Sequence, residues 1–475
     1  MIPVSTFAGK AVALFGLGGS GLSTARALRA GGALLTSWDD SPEARGKAEA
    51  EGLGDSLFDL RESDWSRFAA LILAPGVPLT HPTPHWTVEL ARQAGIEVIG
   101  DIELFSRERA AHAPGSPLIA ITGTNGKSTT TALAAHVLRE AGYDVQMGGN
   151  IGVPILDLEP PSPDRVHVIE CSTFQIDLAP SLQPSIGVLL NLTPDHLDRH
   201  GTMENYAAIK QRLVEAADYA VLGRDDAWCE AIFQLLKRHG HSVNGVTNTR
   251  PQALASICTD GSRLRRAFAL PALKTHEEIL VDLARAPALR GAHNGQNAAA
   301  VFAACERLGM PHDDIGLGMR SFPGLAHRME QIGKRGKVLF VNDSKATNAD
   351  AAEKALLSFD TIYWIIGGKA KEGGIEPLRP LFDRIAKAYL IGEAAEDFAA
   401  TLGSDVAFEQ CGTLEAATAA AARDAAQSGA EEPVVLLSPA CASYDQFANF
   451  EKRGDAFREH VKSLLAEEAG QADLF

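Results

Sequence analysis

The sequence predicts an α/β protein of three domains, each built on its own parallel sheet, with the first and third Rossmann-like. Three observations carry this reading. Short apolar runs recur between turn residues: AVALF (11–15), LILA (71–74), PLIAIT (117–122), VHVIEC (166–171), IGVLLN (186–191), KVLFVN (337–342), TIYWIIGG (361–368) and PVVLLSP (433–439). Runs of this length with little polar alternation are those of strands buried on both faces. Helical patterns alternate with them, at about 20–31, 127–142, 203–217, 295–308, 413–428 and 452–467, the order expected of parallel sheets covered by helices. Finally, 475 residues exceed one hydrophobic core. Two turn-rich stretches, ERAAHAPGSP (108–117) and SFPGLAHRME (321–330), interrupt the pattern. They place domains at 1–106, 107–325 and 326–475. The alanine-rich segment 415–432 has the composition of a solvent-facing helix.

Composition narrows the function. Net charge is −16 and the pI about 5.4, which speaks against a nucleic-acid role in bulk. No run of 18 apolar residues appears, and the amino terminus lacks the basic region and long apolar stretch of a secretory signal. The six cysteines are scattered with no CxxC pair, as expected of reduced thiols in the cytoplasm.

In the first domain, AVALFGLGGSG (11–21) sets Gly16, Gly18 and Gly21 between a strand and a helix, with Ser20 beside them. Asp39 and Asp40 follow about twenty residues on. This satisfies a dinucleotide fingerprint. Three readings compete: a nicotinamide site, a site for another nucleotide diphosphate, and a glycine turn kept for packing.

The second domain opens on LIAITGTNGKSTTTALAAHVL (118–138), a strand, a glycine-containing turn and a helix. Backbone N–H groups of Gly123, Thr124, Asn125, Gly126 and Lys127 suit a triphosphate, and the helix presents its positive end to it. Lys127 would reach the β/γ oxygens, and the Ser128 or Thr129 hydroxyl would ligate Mg²⁺. Ile121 stands where the common GxxxxGKS/T pattern has its first glycine. Glu170 ends the next strand, as a second Mg²⁺ ligand or as a helix-capping or solvated carboxylate. Beyond the following strand come Asp195, His196, Asp198, Arg199 and His200, a cluster able to bind metal or substrate but also ordinary in an exposed loop. Asn294 and Asn297 share a helix face, to read an adenine edge or to cap the helix. In the third domain Asn342, Asp343, Ser344, Lys345, Thr347 and Asn348 crowd the end of one strand, a favoured ligand position. LLSPACASYDQFANFEKRG (436–454) repeats the arrangement.

Taken in order, GLGGSG (16–21), TGTNGKST (122–129), GGNIG (148–152), ECSTFQ (170–175), PDHLDRHG (194–201), HNGQN (293–297), HRME (327–330), NDSKATN (342–348) and LLSPACASYDQF (436–447) resemble the Mur ligase family, which adds amino acids to the cytoplasmic peptidoglycan precursor. The P-loop, HNxxN and HR segments are common to all Mur ligases and to folylpolyglutamate synthetases. STFQ, NDSKATN and SPACASxDQF point to the branch that adds D-glutamate.

The resemblance implies a cytoplasmic, monomeric enzyme whose substrates are ATP, UDP-N-acetylmuramoyl-L-alanine and D-glutamate. It implies two Mg²⁺ ions and neither a nucleic-acid nor a membrane partner. The first domain would hold UDP through Gly18, Ser20, Gly21, Asp39 or Asp40, and Gly76. Lys127 and Ser128 match the P-loop, and Glu170 and His196 match metal ligands. Lys210 matches a lysine that the family carbamylates as a metal ligand. Asn150, Ser172, Thr173 and Gln175 match the substrate side. Asn294, Asn297, Arg328, Asp343 and Lys345 match the ATP pocket. Thr347, Lys371, Ser443 and Phe450 match the amino-acid subsite, with Tyr444 beside them. Departures are Thr173 for a second serine, Lys369 for an acidic residue of some relatives, and Tyr444 for a common aliphatic residue. The last five residues, QADLF, resemble a peptide that docks in the bacterial DNA sliding clamp; the competing reading is a frayed tail.

Overall fold

The computed structural model describes residues 1–248, 256–269, 275–289, 291–370 and 373–472. Lys371 and residues 473–475 of the tail therefore lie outside the described residues.

The first sheet contains β1 (Ala11–Phe15), β2 (Leu34–Trp38), β3 (Ala70–Leu73) and β4 (Glu97–Ile99), all parallel in the order β2-β1-β3-β4. Side chains alternate along β1: Val12 and Leu14 enter one core, Ala13 and Phe15 the other. Burial of both faces is why AVALF reads as an unbroken apolar run.

The second sheet contains β5 (Leu118–Thr122), β6 (Asp144–Gly149), β7 (Arg165–Glu170), β8 (Ile186–Leu189), β9 (Tyr219–Gly223), β10 (Val243–Thr247), β11 (Ser256–Thr259), β12 (Arg263–Ala269) and β13 (Thr275–Asp282). Their order is β13-β12-β11-β10-β9-β8-β5-β7-β6. Expected to be parallel throughout, this sheet is mixed: β11–β12 and β12–β13 are antiparallel. Polar residues explain the exception. Arg263 and Arg265 flank buried Leu264, a one-faced alternation that suits antiparallel strands at a sheet edge.

The third sheet contains β14 (Glu330–Arg335), β15 (Val338–Asn342), β16 (Ile362–Gly367), β17 (Ile385–Ile391), β18 (Phe408–Gly412) and β19 (Val434–Leu437), in the order β14-β15-β19-β16-β17-β18. Only the edge strand β14 among them is antiparallel. The chain reverses direction across the sheet beside β19, which β15 and β16 flank. Such a switch point leaves a crevice at the carboxyl ends of the strands.

The chain forms two compact units, Met1–Arg285 with Ala292–Ser321, and Ala286–Gly291 with Phe322–Phe475. The first two sheets share the first unit. The helix Asp101–His112 spans the expected boundary near 106, and its Ile102, Leu104 and Phe105 enter one core with residues of both sheets. The alanine-rich segment corrects an expectation. Its helix, Leu414–Ala426, buries Ala417, Thr418, Ala420, Ala421, Ala422 and Ala425. Small side chains let the helix lie close to the third sheet, where Ala417, Ala421 and Ala425 share a core with Tyr389 and Phe457. Among the described residues no helix is long and apolar enough to cross a membrane. All six cysteines are free thiols.

Candidate active site

At the end of β5 the chain turns through residues 123–126 into the helix Lys127–Glu140. Gly126 has φ +83°, and a Cβ there would stand 2.5 Å from Asn297 Oδ1. Glycine is required on both counts. The Thr124 N–H donates to Asn191 O at 2.9 Å and the Asn125 N–H to Asn191 Oδ1 at 2.8 Å. The loop is thus held in shape by Asn191, just beyond β8, and the helix it opens presents its positive end to an anion. Lys127 Nζ curls over the loop, donating to Gly123 O (3.0 Å) and Thr124 O (2.8 Å). Ser128 is buried in the first helical turn and Thr129 half-buried beside it.

On one flank, β7 pairs with β5 and sets Glu170 opposite Ile121. Glu170 is 2% exposed; one oxygen accepts from Asn150 Nδ2 at 2.8 Å, and the other has no hydrogen-bond partner. The capping alternative for Glu170 falls, because Ser172 caps the following helix, Thr173–Asp177, in a reciprocal box with Gln175. A buried carboxylate oxygen without a proton donor suits a cation.

On the other flank, the chain leaving β8 carries Asp195 and His196. His196 has φ +51° and its Nε2 lies 3.5 Å from Asp195 Oδ2. Phe174 is enclosed by His196, by a stacked His200 at 5.1 Å and by the Arg199 guanidinium at 4.6 Å. Arg199 also donates to Gly76 O at 3.1 Å, so Gly76, beyond β3, is tied to this cluster. Burial holds His200 down at about 4, neutral at physiological pH.

Lys210, on the helix Met203–Glu215, lies under the loop 123–126 at 1% exposure. Its Nζ donates to Thr122 Oγ1 (3.1 Å) and Gly123 O (2.8 Å). Burial, then the charge of Lys127, lowers its pKa to about 7, which leaves a large neutral fraction. Asn294 and Asn297 are buried on the helix Ala292–Arg307 and bonded to each other at 3.3 Å, with Asn297 against Gly126.

At the first sheet, a Cβ on Gly21 would strike Gly16 O at 1.8 Å, whereas one on Gly18 would meet nothing within 4 Å. Packing thus accounts for Gly21 but leaves Gly18 open to a ligand, with Ser20 half-buried at the start of the helix Gly19–Ala30. Asp39 fastens the turn by accepting from the Leu17 N–H at 2.7 Å. Asp40 pairs with Arg61 at 2.9 Å and accepts from Trp86 Nε1 at 3.3 Å.

The second unit gathers its own polar cluster. Asp343 is buried at the end of β15, accepting from Ser438 Oγ (2.9 Å) and from the Met329 N–H (3.2 Å). Burial raises it to about 7. Arg328 is half-buried nearby, close enough to oppose that rise. Lys345 lies over the Phe450 ring at 4.9 Å, Thr347 is half-buried, Ser443 is 3% exposed and Tyr444 is 73% exposed. Asn191, Thr122 and Tyr206 brace the loop 123–126 without standing out in the sequence; Tyr206 OH lies 3.1 Å from Thr124 Oγ1. The only signal was Asn191 closing an apolar run.

The Mur ligase middle domain matches residues 121–305, and the Mur ligase glutamate ligase domain matches residues 327–441. UDP-N-acetylmuramoylalanine–D-glutamate ligase of Mesorhizobium japonicum is 59% identical over 98% of either chain. The ligase of the same name from a Chelativorans species is 60% identical over the same shares. In fold, the chain is similar to UDP-N-acetylmuramate–alanine ligase of Thermotoga maritima, with a TM-score of 0.54 at 17% identity over 95% of this chain and 99% of that one.

Proposed function

The chain belongs to the Mur ligase family, and on that premise we propose that it joins D-glutamate to UDP-N-acetylmuramoyl-L-alanine, driven by cleavage of ATP to ADP and phosphate. The observation that carries this reading is an anion-binding loop beside a buried carboxylate with one unpaired oxygen, Glu170, in a chain about 60% identical to D-glutamate ligases.

The chemistry follows from the inertness of a carboxylate toward amines. A substrate carboxylate oxygen attacks the γ-phosphorus and ADP departs, leaving an acyl phosphate. The D-glutamate amine, having lost its ammonium proton, adds to the acyl carbon, and collapse of the tetrahedral intermediate expels phosphate. Lys127 and the amides of residues 123–127 hold the transferring phosphoryl. Asn294 and Asn297 serve the nucleotide, with Arg328, Asp343 and Lys345.

The hard oxygen donors of Ser128 and Glu170, with His196, fit Mg²⁺. When bound, Mg²⁺ neutralises charge on the phosphates. Two ions are assigned, the second held partly by Lys210 as a carbamate. Its neutral amine adds to CO₂ and releases a proton, converting a cation into an anionic oxygen donor. Burial supports this, since it favours the neutral amine.

Residues 1–106 hold the uridine diphosphate through Gly18, Ser20, Gly21, Asp39 or Asp40, and Gly76, while residues 107–325 bind ATP. Asn150, Ser172, Thr173 and Gln175 face the muramoyl-alanine end. Residues 326–475 serve the amino acid through Thr347, Ser443, Tyr444, Phe450 and Lys371. The enzyme acts as a cytoplasmic monomer. Phosphate release from ATP with the nucleotide-linked acid and a panel of D- and L-amino acids tests the assignment: turnover with D-glutamate is expected. Turnover with L-alanine, L-lysine or meso-diaminopimelate instead would overturn it.

A further inference from the structure

The helices Met203–Glu215 and Ala227–Arg238 lie against each other in the first unit, and their carboxyl ends bring three metal-ligating side chains together. Glu215 is the last residue of one helix, His239 caps the other, and His241 follows just before β10. A carboxylate oxygen of Glu215 and one ring nitrogen of each histidine lie within 4.8 Å of one another. The backbone fixes the two histidines. Gly240 has φ +80°, its N–H donates to Lys237 O at 3.2 Å, and the His241 N–H reaches back to Leu236 O at 3.0 Å. In a helix end closed this way the residue after the glycine commonly packs an apolar side chain back on the helix; here it is an imidazole.

The protein itself does not satisfy this cluster. Among the described residues neither imidazole ring has a hydrogen bond or an ion pair, and the Glu215 side chain accepts only from Gln211 Nε2, at 3.3 Å. Glu215 and His239 are exposed and His241 is half-buried. A carboxylate in the last turn of a helix faces the negative end of the helix dipole, and a second helix ends beside this one. The basic residues of those two last turns, Arg212, Lys237 and Arg238, form no ion pair with Glu215 among the described residues; Arg212 is taken by Asp177 at 3.1 Å. A cation held by Glu215 would relieve this arrangement.

We propose that Glu215, His239 and His241, none of which the ligase chemistry uses, form a binding site for a borderline divalent cation such as Zn²⁺. Two imidazoles and one carboxylate are a zinc donor set that leaves a fourth position to water. Tetrahedral donors about 2.0–2.1 Å from the ion stand about 3.3 Å apart. Side-chain rotation closes the gap from 4.8 Å, a freedom that surface groups keep. The two nitrogen donors suit zinc, nickel or cobalt rather than Mg²⁺, which takes oxygen. A bound ion ties the carboxyl end of the helix that carries Lys210 to the segment entering β10.

Equilibrium dialysis of the untagged full chain against Zn²⁺ in excess Mg²⁺, with bound metal counted by atomic emission, tests the site. Wild type is expected to hold one more Zn²⁺ per chain than a variant carrying both His239→Ala and His241→Ala. Glu215→Gln keeps shape but removes the anionic donor, and should weaken that ion at least about tenfold. Circular dichroism checks that the variants fold, and Glu215→Gln decides the matter should the double variant fail to. Equal zinc content and affinity in wild type and a folded variant overturn the proposal, because the ion then sits elsewhere, on thiols or on the residues assigned to Mg²⁺. So does zinc that excess Mg²⁺ displaces, the mark of an oxygen site, and so does a wild-type chain that retains none.

Discussion

Gly126→Ala tests the geometry of the phosphate loop most directly, because two separate penalties can be read from it. The left-handed conformation at φ +83° costs an L-residue about 1–2 kcal/mol. The new methyl would also meet Asn297 Oδ1 at 2.5 Å, forcing that side chain off its rotamer for about 0.5–1.5 kcal/mol. Loss of unfolded-state entropy offsets about 0.4–1 kcal/mol. The net expectation is a destabilisation of about 2 kcal/mol. In an Asn297→Ala background the steric part disappears, and the same substitution should cost about 1 kcal/mol. Urea unfolding followed by tryptophan fluorescence measures both, since Trp38, Trp65, Trp86 and Trp228 all lie in the first unit. Equal losses in the two backgrounds would show that Asn297 does not press on the loop, and no loss at all would refute the loop geometry.

Further outcomes are expected at neighbouring positions. Lys127→Ala should retain less than about a tenth of wild-type phosphate release, because the cation at the transferring phosphoryl is gone; a higher rate contradicts that role. Glu170→Gln keeps shape but not charge, and should raise the Mg²⁺ concentration for half-maximal rate at least about tenfold, read from a magnesium titration. Lys210→Ala should be nearly inactive, unaffected by bicarbonate and partly rescued by acetate; near-normal turnover would end the metal-ligand role. Asp343 has a folded pKa raised to about 7, so the native state binds the extra proton between about pH 4 and 7. Stability should fall as pH rises through that window, and Asp343→Asn should flatten the slope in urea unfolding at pH 5 and 8.

Much of the architecture was legible because the strands are buried on both faces. Runs such as AVALF, PLIAIT and PVVLLSP are those of strands whose two faces are both covered, as helices cover these sheets. The antiparallel pairs β11–β12 and β12–β13 were not legible, since an alternating Arg-Leu-Arg segment is too short to be told from a loop. Burial of the Leu414–Ala426 helix was misread because alanine is equally at home on a surface and in a tight helix–sheet contact.

Local chemistry made the turn after β5 legible from sequence alone: glycine spacing, a lysine and a hydroxyl follow a strand and open a helix, all within neighbouring residues. Only the tertiary structure decided which distant groups complete it. Asn297 against Gly126, Lys210 beneath Thr122 and Asn150 on Glu170 are contacts between segments 20 to 171 residues apart, as the residue numbers show. So too with Arg453: in sequence it is one more cation of the helix Phe450–Ala472, yet it is 1% exposed and donates to Ser344 O and Cys441 O in the loops that leave β15 and β19. Its burial follows from the order β15-β19-β16, and strand order depends on long-range packing that local residue patterns do not encode.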